Sequence, residues 1–300
     1  MTTFADMVYS LGGVPAVSGL PLTLGDVYYV SSGSGSSANS GKTPEQPKAT
    51  IDQAINLCTA SQGDIIVVMP GHAETISGAT SLVMDVAGVH VIGLGRGSLR
   101  PTLTYSATAS IISITAANCT LENLVLVGAK DDIVTGISLG AGADGTTLKD
   151  IEMKDGAANK EFLIGIAIAA GCTDVTIDGL RYYGFPGGGA SNCIKCAGNA
   201  DRLKLLNSYI NGDFSASVLD ALTAASTDVL IANNTVINID TTAGLGLGVK
   251  SDTTGFFVRN NVMNLKDNVV GVVGAAMGFC ENYCTNAAGA SGIIKPTVDS

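Results

Sequence analysis

The chain has 300 residues, 46% hydrophobic and 14% charged, with 38 glycines, no tryptophan and a formal net charge of −10. Such a length allows one large core, and so little charge among so many small residues excludes a coiled coil or a charged disordered chain. The acidic balance excludes nucleic acid as a partner, since phosphate neutralisation needs a Lys/Arg surplus, and it argues weakly against strongly anionic polysaccharides.

Residues 1–23 precede the patterned part of the chain. Phe4, Met7, Val8 and Leu11 recur at helical spacing, and Gly12, Gly13 and Pro15 would end that short amphipathic helix. No charged segment precedes an apolar one at Met1, and no apolar run approaches ~18 residues, so neither a signal peptide nor a membrane-spanning helix is expected. Val27-Tyr28-Tyr29-Val30 reads as a strand, followed by a polar stretch from Ser31 to Lys48. Gly41-Lys42-Thr43 fails as a phosphate loop, because Ser36 stands where its first glycine belongs and Pro44 and Pro47 stand where a helix should begin. Thr50-Ile51-Asp52-Gln53 reads as a capping box. The helix it opens carries Ile51, Ala54, Ile55 and Cys58 on one face, ends by Gly63, and is placed to cover the open end of a β-array. The expected division is an N-terminal arm at 1–23, a lead-in strand, loop and capping helix at 24–63, a repetitive unit at 64–290 and a tail at 291–300.

Within the repetitive unit a short strand ends on a polar or small residue at Asn123, Asp150, Gly179, Asn207, Asn233 and Asn260, with Gly93 extending the series backwards. These marks are 26 to 30 residues apart. A second column begins at Gly136, Gly165, Cys193, Leu219, Gly246 and Gly271, and its first five starts each lie 14 residues before the next mark. Leu219-Asp220-Ala221-Leu222 fits this spacing but puts Asp220 where other coils are apolar. Coils of nearly constant length stack alike residues if each climbs one strand spacing, about 4.8 Å, per turn. The pattern predicts an all-β, single-stranded right-handed parallel β-helix of about eight coils. Asn, Asp and Gly suit left-handed corners, and stacked asparagines can hydrogen-bond from coil to coil. The seven cysteines, Cys58, Cys119, Cys172, Cys193, Cys196, Cys280 and Cys284, make no even framework. Cys193-Ile194-Lys195-Cys196 lacks a second pair or a nearby His for zinc, so the reading is reduced core residues and neither metal nor cofactor.

Val27–Val30, Gly41–Pro44, Pro47, Thr50–Ile55 and Gly63–Gly71 resemble the first segments of pectin-lyase-like right-handed β-helix proteins, and the resemblance covers about residues 24–290. That superfamily includes pectate lyases, polygalacturonases, phage tailspikes and non-enzymatic virion proteins, so the fold alone leaves function open. Thr3–Pro15 resembles the N-terminal arm of phage-encoded β-helix proteins of heads and tails. This implies a homotrimeric capsid decoration, cement or head-fibre protein, made in the host cytoplasm and located in the virion. Its arm, through Phe4, Asp6, Met7, Val8, Tyr9 and Leu11, would bind the major capsid protein, another virion protein or a sister subunit, with host surface glycan as a further partner and no membrane partner.

Catalytic residues are sought on outer sheet faces. Hydrolysis uses two carboxylates roughly 5–9.5 Å apart, and lyase chemistry a base, with acids to hold calcium. His72 and His90 do not form the Gly-His-Gly of the polygalacturonase pattern, its Asn-Thr-Asp is missing, and Val249-Lys250-Ser251 only faintly echoes its Arg-Ile-Lys. Asp131-Asp132 lies in a variable segment. The best cluster is Asp150, Glu152, Asp178 and Arg181 on successive coils, weighed against a solvated face of weak ion pairs. The position of Glu152 is expected to be filled by Val125, Arg181, Tyr209, Thr235 and Val262 in other coils. The expectation is therefore no catalytic site and a protein that is not an enzyme. The alternatives are a tailspike- or pectinase-like polysaccharide-degrading enzyme and a non-catalytic glycan-binding β-helix.

Overall fold

The computed structural model describes residues 23–241, 244–264, 272–273, 276–286 and 291–293. The arm residues Phe4, Asp6, Met7, Val8, Tyr9 and Leu11 lie outside them, as does most of the 291–300 tail. The chain winds into a parallel β-solenoid whose coils each lay one strand in three sheets, of ten, eight and ten strands. The first sheet runs from Val27–Val30 through Thr120–Glu122 to Gly278–Cys280, and the second from Leu82–Met84 to Val272–Val273. The third runs from Ala73–Ile76 through Glu152–Asp155 to Tyr283–Asn286, and Ser291–Ile293 closes it antiparallel. No helix among the described residues is long and apolar enough to cross a membrane.

Strand alternation sends every second side chain inward, where like residues stack between coils. One column of the second sheet is Ile112, Ile137, Ile166, Ile194, Leu219, Leu247. Leu219, which the spacing predicts to be a strand start level with Cys193, stands one place further on, level with Ile194. Asp220 pairs in register with Lys195, so its side chain takes an outward position rather than an apolar one. Cys193 and Cys196 are buried in this sheet, and Cys58, Cys119, Cys172 and Cys280 are free thiols as well.

A tight corner joins the first sheet to the third. Asn123, Asp150, Gly179, Asn207 and Asn233 all adopt positive φ there, between 50° and 73°, as Asn, Asp and Gly tolerate. Asn260 is not in that column. Arg259 takes the corner at φ 51°, and Asn260 falls into the next column, which points inward and is fully buried. The column holds Leu124, Ile151 and Leu180 in early coils and becomes polar at Ser208, Asn234, Asn260 and Asn282. Each asparagine amide donates to the side-chain oxygen of the next, at 2.9 Å for both Asn234 to Asn260 and Asn260 to Asn282. Each also donates to the main-chain carbonyl of Leu205, Ile231 or Phe257. Coil-to-coil asparagine bonding thus exists, one residue past the expected corner. The same shift puts Asn261, not Val262, in the column of Glu152.

A five-residue helix, Ile51–Ile55, covers the start of the solenoid and buries Ile51, Ala54 and Ile55 in the core. Thr50 caps it, accepting from the Gln53 amide, while the Gln53 side chain accepts from Ala49. Asp52 accepts from the Val83 amide of the terminal second-sheet strand, and Glu74 accepts from the Ile51 amide. The helix thereby satisfies groups that an open edge would expose. His72, buried beneath it, is 3.0 Å from Glu74 and belongs to this closure.

A candidate functional groove on the third sheet

On the outer face of the third sheet, alternation presents two columns. One holds Thr102, Val125, Glu152, Arg181 and Tyr209, and the other Thr104, Val127, Lys154, Tyr183 and Asn211. Between Pro101 and the preceding first-sheet strand, a turn with a short 3₁₀ segment, Gly97–Leu99, brings Arg96 and Arg100 to the edge of this face. The result is an open groove of about 810 Å³ lined by Arg96, Arg100, Lys154, Arg181, Asp150 and Glu152 among others.

Arg100 is the fixed part of the groove. Its guanidinium reaches across the Val125 strand to Glu152 at 2.8 Å, and it donates to the carbonyls of Asp150 at 2.7 Å and Leu124 at 3.2 Å. The two side chains of the pair are 13% and 22% exposed, so it is more enclosed than the weak, solvated ion pairs expected on this face. Arg181 sits opposite Glu152 in register. Yet Arg96, Lys154 and Arg181 have no ion pair with any described residue. Four cations against two carboxylates make the groove locally positive on an acidic protein.

Of the sequence-expected cluster, the structure brings Asp150, Glu152 and Arg181 into one groove. Asp178 lies on the first sheet, where its carboxylate accepts from Asn207 at 2.8 Å. His90 is also on that sheet, bonded at 3.0 Å to Glu122, whose other oxygen binds Lys149 at 2.8 Å. Burial holds the His90 imidazole below its ordinary range despite that carboxylate. Asp131 and Asp132 are exposed in a distant turn. Sequence reasoning missed Arg96, Arg100 and Lys154. Lys154 carried a signal, because it lies two residues from Glu152 on the same strand face. Beneath the face, Asp155 points inward and accepts from the Tyr182 hydroxyl at 3.2 Å and the Phe185 amide at 3.1 Å, while burial pushes its carboxyl up to about 6. Among the described residues no group of three His, Cys, Asp or Glu side chains could hold a metal ion.

No family model and no curated protein matches the sequence. Among solved structures, a rhamnogalacturonan lyase superimposes over 88% of this chain and 74% of its own, with a TM-score of 0.61 at 16% identity. The GH136 lacto-N-biosidase from Eubacterium ramulus aligns over 85% of this chain and 67% of its own, at 12% identity and a TM-score of 0.35. The expectation of a protein that is not an enzyme is corrected by the first of these likenesses. The same scaffold carries an enzyme in the rhamnogalacturonan lyase, so neither the fold nor the missing polygalacturonase motifs argue against activity. At this identity the likeness is one of fold. The chain has the pectin-lyase-like, right-handed parallel β-helix fold.

Proposed function

We propose that this chain is a polysaccharide-active β-helix protein that takes an acidic glycan along the outer face of its third sheet and cleaves it by elimination. The observation that carries the reading is the set of cations without an ion-pair partner, Arg96, Lys154 and Arg181, beside an Arg100 already locked in place. The chain's overall acidity argued against such a substrate, but recognition depends on the local field of the groove. Unpaired guanidinium and ammonium groups are suited to uronate carboxylates.

Elimination fits the groove better than hydrolysis. Hydrolysis requires two carboxyl groups in complementary roles. Here Glu152 is engaged by Arg100, which leaves Asp150, at a strand corner, as the uncommitted carboxylate of the groove. In elimination, the C–H bond next to the uronate carboxylate breaks, a double bond forms, and the glycosidic oxygen leaves with the bond pair. Lys154 and Arg181, as cations, are placed to hold the carboxylate and to stabilise the negative charge developing there; the proton passes to Asp150, the uncommitted carboxylate of the groove, and water protonates the leaving oxygen.

The test is incubation of the full chain with polygalacturonate and with rhamnogalacturonan, following the ultraviolet absorbance of unsaturated uronate ends. A rise in absorbance that is lost in Lys154→Met and Arg181→Met supports the proposal. Reducing ends without unsaturation would replace elimination by hydrolysis, and neither product nor binding would overturn the proposal.

A further inference from the structure

Beyond Arg181 the outer face of the third sheet changes character. The next strands present Tyr209 and Asn211, then Thr235 and Ile237, then Asn261 and Met263, so no outward position there carries a charge. Tyr209 pairs in register with Arg181. Tyr183, in the neighbouring column, lies with its ring centroid 5.8 Å from that of Tyr209 at an interplanar angle of 40°. Both rings are open to solvent, at 43% and 36% exposure, although they adjoin the cationic groove. A second hollow of about 480 Å³ continues the face past them, lined by Ile237, Met263 and Tyr283 among others.

We infer that Tyr183 and Tyr209 form a stacking platform for an uncharged sugar, so that the ligand is a mixed glycan with acidic units over Lys154 and Arg181 and neutral units over the tyrosines. This deepens the proposal of an acidic glycan and rests on it. Three physical points support it. Tyrosine offers an apolar face with a polar tip, which suits the C–H face and hydroxyl rim of a pyranose. An extended sugar chain running along the solenoid axis meets a new strand at each rung, and a pyranose unit is about one rung long. On the strands past Tyr209 a carboxylate would meet no outward cation, Arg259 standing at a corner two coils further on, whereas Asn211, Thr235 and Asn261 offer neutral hydrogen-bonding groups to hydroxyls.

The experiment compares two oligosaccharides of equal length on the full chain. One is a homopolymer of galacturonate and the other the alternating galacturonate–rhamnose backbone of rhamnogalacturonan. Binding is followed by calorimetry for the native protein and for Tyr183→Ala, Tyr209→Ala, Tyr183→Phe and Arg181→Met. Circular dichroism melts establish that each variant is folded, as expected for exposed rings. The platform predicts that each alanine variant binds the alternating oligomer about tenfold more weakly, equivalent to about 1.4 kcal/mol, and binds the homopolymer as before. Tyr183→Phe should retain affinity, and Arg181→Met should weaken both ligands. Unchanged or equal losses for the two ligands in the alanine variants overturn the platform while leaving the acidic-glycan reading intact. Failure of the native protein to bind either ligand overturns both.

Discussion

Replacing Arg100 by Met would test whether the groove is a built site or a solvated surface. The guanidinium serves three acceptors, the Glu152 carboxylate at 2.8 Å and the carbonyls of Asp150 at 2.7 Å and Leu124 at 3.2 Å. A hydrogen bond to a charged group contributes about 1.5–3 kcal/mol when buried. The groove is open, so the freed carbonyls and carboxylate recover part of this from water. A net loss of roughly 2–3 kcal/mol follows for Arg100→Met. The pair itself is isolated by a double-mutant cycle with Glu152→Gln, read from denaturant midpoints on the full chain. With exposures of 13% and 22%, the coupling should exceed that of surface pairs and lie near 1.5 kcal/mol. A coupling below about 0.5 kcal/mol would place the pair among ordinary surface contacts and refute the claim that Arg100 fixes the groove.

The remaining predictions concern the scaffold. Asn260→Ala breaks a ladder in which Asn260 donates to Ile231 and Asn282 and accepts twice from Asn234, so a loss of about 3 kcal/mol or more is expected in chemical denaturation, and a loss under ~1 kcal/mol would contradict the ladder. Asp155 titrates near 6 when folded against 3.8 as a free carboxyl, so the folded chain holds its proton between those values while the unfolded chain does not. Its contribution to stability is full below about pH 4 and is lost as pH rises through 6, amounting to roughly 3 kcal/mol at 1.36 kcal/mol per pH unit. The stability difference between the native chain and Asp155→Asn should change by this order from pH 4 to pH 7, and a constant difference would refute the assignment. Burial holds the Cys196 thiol at about 12 and that of Cys193 far above its usual range, whereas Cys280 is exposed. A thiol reagent at pH 8 should therefore modify Cys280 in the native protein and reach Cys193 and Cys196 only after unfolding, and prompt native modification of Cys193 would contradict its core placement.

The winding of the chain was legible because corners need residues that tolerate positive φ, and Asn123, Asp150, Gly179, Asn207 and Asn233 mark them openly. Two strand columns were visible in this way and the third was not. Only Leu124, Ile151 or Leu180 separates each corner from the next strand, so the first and third sheets run together in the sequence as one segment. Asn260 misled for a related reason: it is the residue type of a corner at an inward position, where Arg259 makes the turn instead. Three members of the site, Asp150, Glu152 and Arg181, were found because they fall on neighbouring coils. Arg100 was hidden because it comes from a turn 52 residues upstream of Glu152 and reaches across an intervening strand. The positive groove was hidden by the total charge of −10, which averages over faces that a ligand never meets together.

The most direct measurement is the affinity of the full chain for a galacturonate oligomer as ionic strength rises, in the native protein and in Lys154→Met/Arg181→Met. If unpaired cations hold the carboxylates, native binding weakens steeply with salt, because exposed charges are screened over about 10 Å at 0.1 M, and the double variant binds weakly with little salt dependence. Equal affinities and equal salt slopes in the two proteins would contradict the account.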